Sequence, residues 1–136
     1  MILDTNVISE LMRPAPAPAV LEWFLEPREL YVTAVTRGEL LLGVALLPAG
    51  KRRSRLTSVL LEMFDTHFAG RCLSFDSAAA DVFAELRAQR ARQGDPMSTE
   101  DAQIAAIALA HGLPLVTRNV KDFTRISGLS LINPWS

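Results

Sequence analysis

Short apolar segments alternate with amphipathic segments along the whole chain, and this alternation restricts the possible folds more than any other feature. Five apolar segments have the length and composition of buried strands: Met1–Leu3, Leu30–Val35, Cys72–Phe75, Leu113–Thr117 and Leu129–Ile132. Strands that are separated by helices are typical of a parallel sheet with helices packed on its faces. The sequence therefore predicts an α/β fold around a central, mostly parallel sheet.

The helices predicted between these strands follow from apolar residues that recur at intervals of three and four. The prolines that alternate between Arg13 and Pro18 cannot lie inside a helix, so they predict an extended connector. Gly112 is placed to end the helix before the fourth strand. The predicted helices are Val7–Met12, Pro18–Leu25, Thr36–Leu47, Gly50–Phe64, Ala78–Gln93 and Ser98–His111, with a short turn or helix at Asn119–Phe123.

The length and the charge of the chain limit its architecture and its partners. A chain of 136 residues suits a single domain, and we expect that domain to span residues 1–136. The net charge of −1 excludes a strongly basic nucleic-acid clamp. Contact with a polyanion therefore needs a local basic patch or a bound cation.

The single cysteine and the amino-terminal sequence bear on the compartment. Cys72 has no second cysteine with which to form an intrachain disulfide. The amino terminus lacks a basic segment followed by an apolar one, which argues against secretion. The longest apolar runs are too short to span a bilayer. We therefore expect a cytoplasmic protein that does not enter the membrane.

Four polar residues are predicted to lie at one edge of the sheet. Asp4 ends the first strand, and Asn119 follows the fourth strand. Glu39 and Asp101 each lie in the first turn of a predicted helix. Because the carboxyl ends of parallel strands and the amino ends of the following helices share an edge, these residues are expected to converge in one cleft.

Helix capping offers a second interpretation of the same acids. Asp4 or Asn6 has the residue type that caps a following helix. Glu39 lies three residues after Thr36, and Asp101 lies three residues after Ser98, which is the spacing of a capping box. The two interpretations are compatible, because the amino end of a helix also favours an ionised carboxylate.

Three carboxylates in one cleft indicate a cation site. They repel one another, so one or more becomes protonated unless a cation lies between them. Mg²⁺ prefers oxygen ligands and uses one or two carboxylates while it keeps several waters. A metal of this kind activates water and neutralises phosphate charge, which suits the hydrolysis of a phosphodiester bond.

Other chemistries find little support in the sequence. His67 and His111 have no cysteine or histidine neighbours at zinc-binding spacing, so each is predicted to be structural. The chain contains neither a glycine-rich nucleotide-binding loop nor the Gly-x-Ser-x-Gly motif of serine hydrolases.

Five short motifs occur in the order and at the separations of a known family. They are Met1–Glu10, Thr36–Leu40 followed by Gly43, Ser98–Asp101 followed by Ile104, Val116–Asn119 followed by Asp122-Phe123, and Asn133–Trp135. Together they resemble a PIN domain, in particular the VapC and FitB-like toxins of bacterial toxin–antitoxin pairs. The resemblance covers essentially the whole chain.

The resemblance implies a three-layer α/β/α sandwich whose acidic cleft binds Mg²⁺ or Mn²⁺ and cleaves RNA. Asp4, Glu39 and Asp101 match the three main catalytic and metal-binding acids. Asn119 stands at the fourth position, where an acid is common, and Asp122 is a nearby acid that could compensate for it. The resemblance also implies a homodimer, inhibition by an antitoxin protein, and a toxin–antitoxin assembly on operator DNA.

Three further interpretations remain open at this stage. The first is a catalytically weak or inactive PIN-fold binding protein that acts through its antitoxin. The second is a phosphoacceptor signalling domain, which is disfavoured because Asp4 has no acidic neighbour and Arg118-Asn119 stands where a lysine is needed. The third concerns two basic runs, which either flank the cleft and hold RNA or form solvated helix faces. The first run consists of Lys51, Arg52, Arg53 and Arg55, and the second of Arg87, Arg90 and Arg92.

Overall fold

The computed structural model describes all 136 residues and has a parallel sheet at its centre. Its strands are β1 (Ile2–Leu3), β2 (Val32–Thr33), β3 (Cys72–Leu73), β4 (Leu115–Val116) and β5 (Leu131–Ile132). β4 pairs in parallel with both β1 and β5, and β2 pairs in parallel with β3. A parallel bridge between Ile2 and Tyr31 joins the two groups, so the spatial order is β3-β2-β1-β4-β5. The prediction of a parallel sheet is confirmed.

Seven α-helices surround the sheet, and a π-helical turn at Met63–His67 continues the fourth of them. No helix is both long and apolar enough to pass through a membrane. The helices are α1 (Thr5–Leu11), α2 (Pro18–Leu25), α3 (Ala34–Ala45), α4 (Lys51–Glu62), α5 (Ser77–Arg92), α6 (Thr99–His111) and α7 (Val120–Phe123).

Two apolar cores lie on opposite faces of the sheet. Successive residues of a strand point to opposite faces. Ile2 and Leu115 accordingly join the core that contains α5 and α6, while Leu3 and Val116 join the core that contains buried residues of α1 to α4. Helices therefore cover both faces, and the α/β/α arrangement implied by the resemblance is confirmed.

The second strand is shorter than predicted, and α3 begins earlier. The strand ends at Thr33, whose Oγ1 accepts a hydrogen bond of 3.1 Å from the backbone N–H of Thr36. Thr33 is thus the cap of α3, and Thr36 is a buried residue inside the helix. The predicted capping box of Thr36 and Glu39 is wrong. Glu39 lies in the second turn of α3 and is free of any capping role.

The first helix also begins earlier than predicted, because Asp4 caps it. The Asp4 Oδ1 atom accepts a hydrogen bond of 2.8 Å from the backbone N–H of Thr5, and α1 starts at that residue. Asn6 lies within α1, so the alternative in which Asn6 is the cap is wrong. At α6, Ser98 Oγ accepts from the N–H of Asp101 at 3.1 Å, and Gly112 ends the helix with φ +64°, as the sequence predicted.

Arg90 is buried, so it belongs neither to an RNA-binding surface nor to a solvated helix face, the two alternatives that the sequence left open for its basic run. Only 5% of the residue is exposed. Its Nε donates to the backbone oxygen of Asp95 at 2.8 Å, and its Nη2 lies 3.2 Å from the Asp95 carboxylate. The chain turns back after α5 at Gly94, and this turn brings Asp95 to the guanidinium. The helical periodicity of α5 carries no information about that turn.

Candidate active site

An open cavity of about 500 Å³ lies at the carboxyl edge of β1 and β4. All four residues that the sequence placed at this edge line the cavity, and only one lining residue is hydrophobic. The lining residues are Asp4, Thr5, Asn6, Ser9, Glu10, Arg13, Glu39, Asp101, Arg118, Asn119 and Trp135.

Asp4 is the most enclosed acid of the cavity and is held by three donors. Only 3% of the residue is exposed. Its Oδ1 accepts from the backbone N–H of Thr5 at 2.8 Å. Its Oδ2 accepts from the Thr117 hydroxyl at 2.8 Å and from the Asn6 amide at 3.3 Å. These bonds fix the orientation of the carboxylate in the absence of any cationic side chain.

The pKa of Asp4 is raised from its ordinary value of 3.8 to about 6. Burial is the largest cause, and the charges of Asp101 and Glu39 add to it. The hydrogen bonds from Thr117 and Thr5 act in the opposite direction. The negative charge at this end of the cavity is therefore incompletely compensated by the protein, which is the condition that favours a bound cation.

The Thr117 hydroxyl is the strongest side-chain support of this carboxylate, and its removal should be measurable. We expect Thr117→Val to lower the free energy of unfolding by about 1.5–3 kcal/mol at pH 7.5, the range for a hydrogen bond to a charged group. The loss should be smaller at pH 4.5, where Asp4 is protonated. Urea unfolding of metal-free protein at both values of pH measures this, with Thr117→Ser as the control that keeps the hydroxyl. Equal stability of the two variants at pH 7.5 would contradict the assignment.

Glu39 reaches the cavity from α3 and is exposed to solvent. The Thr5 hydroxyl donates to its Oε1 at 2.9 Å and lies 3.0 Å from the Thr36 hydroxyl. Because Thr5 has one hydroxyl proton, Thr36 must be the donor in the second pair. A chain of hydroxyls thus runs from the buried start of α3 to the Glu39 carboxylate and orients it towards the cavity.

Asp101 approaches the cavity from the first turn of α6. Burial is the main cause of its raised pKa; the charges of Asp122 and Glu100 contribute, and the Ser98 hydroxyl opposes them. The cap of α6 is the Ser98 oxygen, which accepts from the backbone N–H of Asp101. The carboxylate is not needed for the cap and is available to the cavity.

Asn119 and Asp122 lie on different sides of Asp101. Asn119 is exposed in the main cavity, and its backbone N–H donates to Thr117 Oγ1 at 3.0 Å. Asp122 lines a smaller cavity of about 150 Å³, which shares Asp101 with the main one. Asp122 is therefore an acid near Asp101. Of Asn119 and Asp122, only Asn119 lines the same cavity as Asp4.

The oxygen ligands that the main cavity offers suit a hydrated hard cation. Asp4, Glu39, Asp101 and Asn119 offer oxygen ligands, which Mg²⁺ and Mn²⁺ prefer. No three acidic, histidine or cysteine side chains are close enough to ligate one ion together. This spacing fits a metal that binds one or two carboxylates directly and reaches the others through its waters.

Sequence reasoning missed Thr5, Asn6 and Thr117 as parts of this site. Thr5 and Asn6 directly follow Asp4 in the sequence, so their positions were sufficient to predict that they lie near its carboxylate. The role of Thr117 depends on the register of β1 and β4, in which Leu3 lies opposite Val116. Nothing in the sequence displays that register. His67 and His111 are both absent from the cavity lining.

Comparisons with known proteins agree with the geometry. The family described as PIN domain matches residues 1–129. The chain is 42% identical to "VapC ribonuclease Y4jK" of Sinorhizobium fredii, over 99% of this chain and 97% of the relative. It is 39% identical to "Toxin FitB" of Neisseria gonorrhoeae, over 99% of this chain and 98% of the relative.

A solved structure shares the whole fold. The chain matches one described as FitAB bound to an IR36 DNA fragment, with a TM-score of 0.91 and 36% identity over 99% of this chain and 95% of that one. The family model and the relatives match the sequence over nearly its whole length, and the solved structure matches the parallel sheet with helices on both faces. This chain belongs to the PIN-domain family.

Proposed function

We infer that the chain is a metal-dependent endoribonuclease toxin that hydrolyses RNA phosphodiester bonds in the acidic cavity. The observation that carries this proposal is the placement of Asp4, with its pKa raised to about 6, at one cavity with Glu39 and Asp101. A scaffold has no use for a buried acid whose charge is only partly compensated. The similarity to a protein named as a VapC ribonuclease and to one named as a toxin supports the same activity.

Each residue of the site has a distinct task in this proposal. Of Asp4, Glu39 and Asp101, one or two would hold Mg²⁺ or Mn²⁺ directly and the rest through its waters, and Asn119 would offer an uncharged oxygen beside them. The bound metal supplies an activated water and neutralises phosphate charge. Thr117 holds the Asp4 carboxylate in place, and the hydroxyl chain through Thr5 does the same for Glu39. The protein thus contributes a preorganised set of oxygens and no covalent nucleophile.

The proposal includes the protein's assembly and location. The similar solved structure is a FitAB complex on DNA. We therefore propose that a cognate antitoxin binds this chain and blocks its activity, that the chain forms homodimers, and that the complex with the antitoxin binds operator DNA. The compartment we propose is the cytoplasm.

A second candidate is a catalytically weak or inactive PIN-fold protein that acts only through its antitoxin. The uncharged Asn119 favours it, because the set of Asp4, Glu39, Asp101 and Asn119 has one negative charge fewer than a set of four acids. An assay of cleavage separates the two candidates directly.

Metal binding is the first test of the proposed activity. Protein stripped with EDTA should bind about one Mn²⁺ per chain weakly, since the ligands are few and largely hydrated. Isothermal titration calorimetry measures this binding, and a gel assay of a labelled RNA should show cleavage in Mg²⁺ or Mn²⁺ and none in EDTA. The proposal fails if Mn²⁺ does not bind, or if RNA is cut equally well in EDTA by protein free of contaminating nuclease.

A further inference from the structure

A second groove opens directly from the active-site cavity between α1, α3 and α4. Its volume is about 560 Å³. It shares four lining residues with the cavity: Thr5, Ser9, Arg13 and Glu39. Because the two spaces share these walls, a polymer that occupies the cavity can continue into the groove without leaving the surface.

Two arginines of α4 face this groove and have no partner. Arg52 and Arg55 both line it and are exposed. Neither takes part in an ion pair, unlike Arg13, which lies 3.3 Å from Glu10. Residues three apart on a helix are neighbours, with about 5–6 Å between their Cβ atoms. The groove therefore presents two adjacent free cations beside an acidic cavity.

The groove is open, and its lining is partly apolar. Five of its 13 lining residues are hydrophobic: Met12, Leu40, Val44, Leu56 and Leu60. A Cβ atom built on Gly43 meets no other atom within 4 Å, so the groove has free space at this residue. The lining of the groove contains no aromatic side chain on which a base could stack. Binding here should depend on charge and should tolerate different base sequences.

Three other members of the two basic runs have partners of their own. Arg53 donates to the backbone oxygen of Leu47 at 3.4 Å. Arg87 donates to Thr99 Oγ1 at 2.9 Å and lies over the Phe83 ring. Arg90 is buried against Asp95. Arg92 is exposed, but it lies on a separate surface of α5 that does not adjoin the active-site cavity.

We propose that the groove between α1, α3 and α4 binds the phosphate backbone of single-stranded RNA next to the bond that is cut, and that Arg52 and Arg55 contact successive phosphates. The proposal rests on the proposed ribonuclease function. An RNA chain whose phosphodiester bond enters the cavity must leave it on either side, and this groove is continuous with the cavity and carries unpaired positive charge. The α5 arginines have no part in this contact.

Salt-dependent RNA binding tests the groove independently of catalysis. Affinity of the full-length chain for a fluorescein-labelled unstructured RNA is measured in EDTA at several KCl concentrations. Each phosphate contact on a single strand contributes about 0.7 to the slope of log K against log salt. The double substitution Arg52→Gln/Arg55→Gln should therefore reduce the magnitude of this slope by about 1.4. If the plots for wild type and variant meet at 1 M salt, this change corresponds to a loss of about 25-fold in affinity at 0.1 M salt.

Matched variants make the outcome specific. Arg87→Gln/Arg92→Gln removes the same charge from α5 and should leave the slope unchanged, while Arg52→Lys/Arg55→Lys should restore most of it. In Mg²⁺, loss of the groove arginines should raise KM for cleavage more than it lowers kcat. An unchanged slope in the groove variant, or an equal change in the α5 variant, overturns the proposal.

Two further outcomes distinguish an RNA-binding groove from a groove that binds an acidic polypeptide, and the groove proposal from the proposed ribonuclease function. If a labelled polyglutamate peptide loses affinity in the groove variant while RNA does not, the groove recognises an acidic polypeptide and the RNA assignment is wrong. If the predicted slopes are observed but wild type never cleaves RNA in Mg²⁺ or Mn²⁺, the proposed ribonuclease function fails while the RNA groove stands.

Discussion

Asp101→Asn should reduce RNA cleavage by about 10²–10³-fold, which is the usual loss when one electrostatic partner of a reacting group is removed. The substitution removes a charge that a bound metal needs and changes the shape of the side chain very little. The cap of α6 should survive, because the Ser98 oxygen accepts from the backbone N–H of residue 101 and does not involve the carboxylate. The free energy of unfolding of the variant should therefore lie within about 1 kcal/mol of that of wild type, since asparagine suits a helix start about as well as aspartate.

Glu100→Gln is the matched control for this variant. Glu100 lies in the same turn of α6 and carries the same charge, but it does not line the cavity. It should keep wild-type cleavage. Growth arrest on expression without an antitoxin should disappear in Asp101→Asn and persist in Glu100→Gln, while both should still bind a purified antitoxin. If Asp101→Asn melts like wild type and still cuts RNA, the assignment of the Asp101 carboxylate to the catalytic site is wrong.

Asp4→Asn should change the pH dependence of stability by about 3 kcal/mol, because a pKa raised from 3.8 to about 6 corresponds to about 1.4 kcal/mol for each unit. A carboxyl with a raised pKa binds its proton more tightly in the folded state. Its contribution to stability is therefore fully present below about pH 4 and is lost as pH rises to about 7. The neutral variant escapes this loss, so its stability relative to wild type should increase across that interval.

Urea unfolding of metal-free protein from pH 4 to pH 8 measures this difference. A constant offset is expected as well, because asparagine has one carboxamide oxygen and cannot accept both from the backbone N–H of Thr5 and from Thr117 and Asn6. The diagnostic quantity is the change of the difference with pH. Added Mg²⁺ should stabilise wild type at pH 7.5 and should have little effect on Asp4→Asn. A difference that is independent of pH between 4 and 8 is incompatible with the raised pKa.

Local sequence signals were sufficient to place part of the site. Asp4 directly follows an apolar strand, and Asp101 follows the capping residue Ser98, so both positions relative to the sheet edge were predictable. The α/β class followed from the alternation of strands and helices. These features depend on neighbours within a few residues, which a sequence displays.

The parts that were wrong depend on contacts distant in sequence or on turns. The start of α3 was misplaced because Thr33 and Thr36 are both plausible caps, and the hydrogen bond from the Thr36 N–H to Thr33 Oγ1 decides between them. The burial of Arg90 follows from the turn at Gly94 that returns Asp95 to it. Arg52 and Arg55 could not be distinguished from Arg53 without the path of α4 past α3.

The bond between Thr117 and Asp4 also has a consequence for how the protein is made. The two residues are 113 positions apart in the chain. β1 lies in the middle of the sheet, yet one of its partners, β4, is translated much later. Closing so long a loop is entropically costly and slow compared with local contacts. A ribosome must therefore complete most of the chain before the two halves of the cavity can meet, so the cavity cannot assemble on the nascent polypeptide until translation is almost finished.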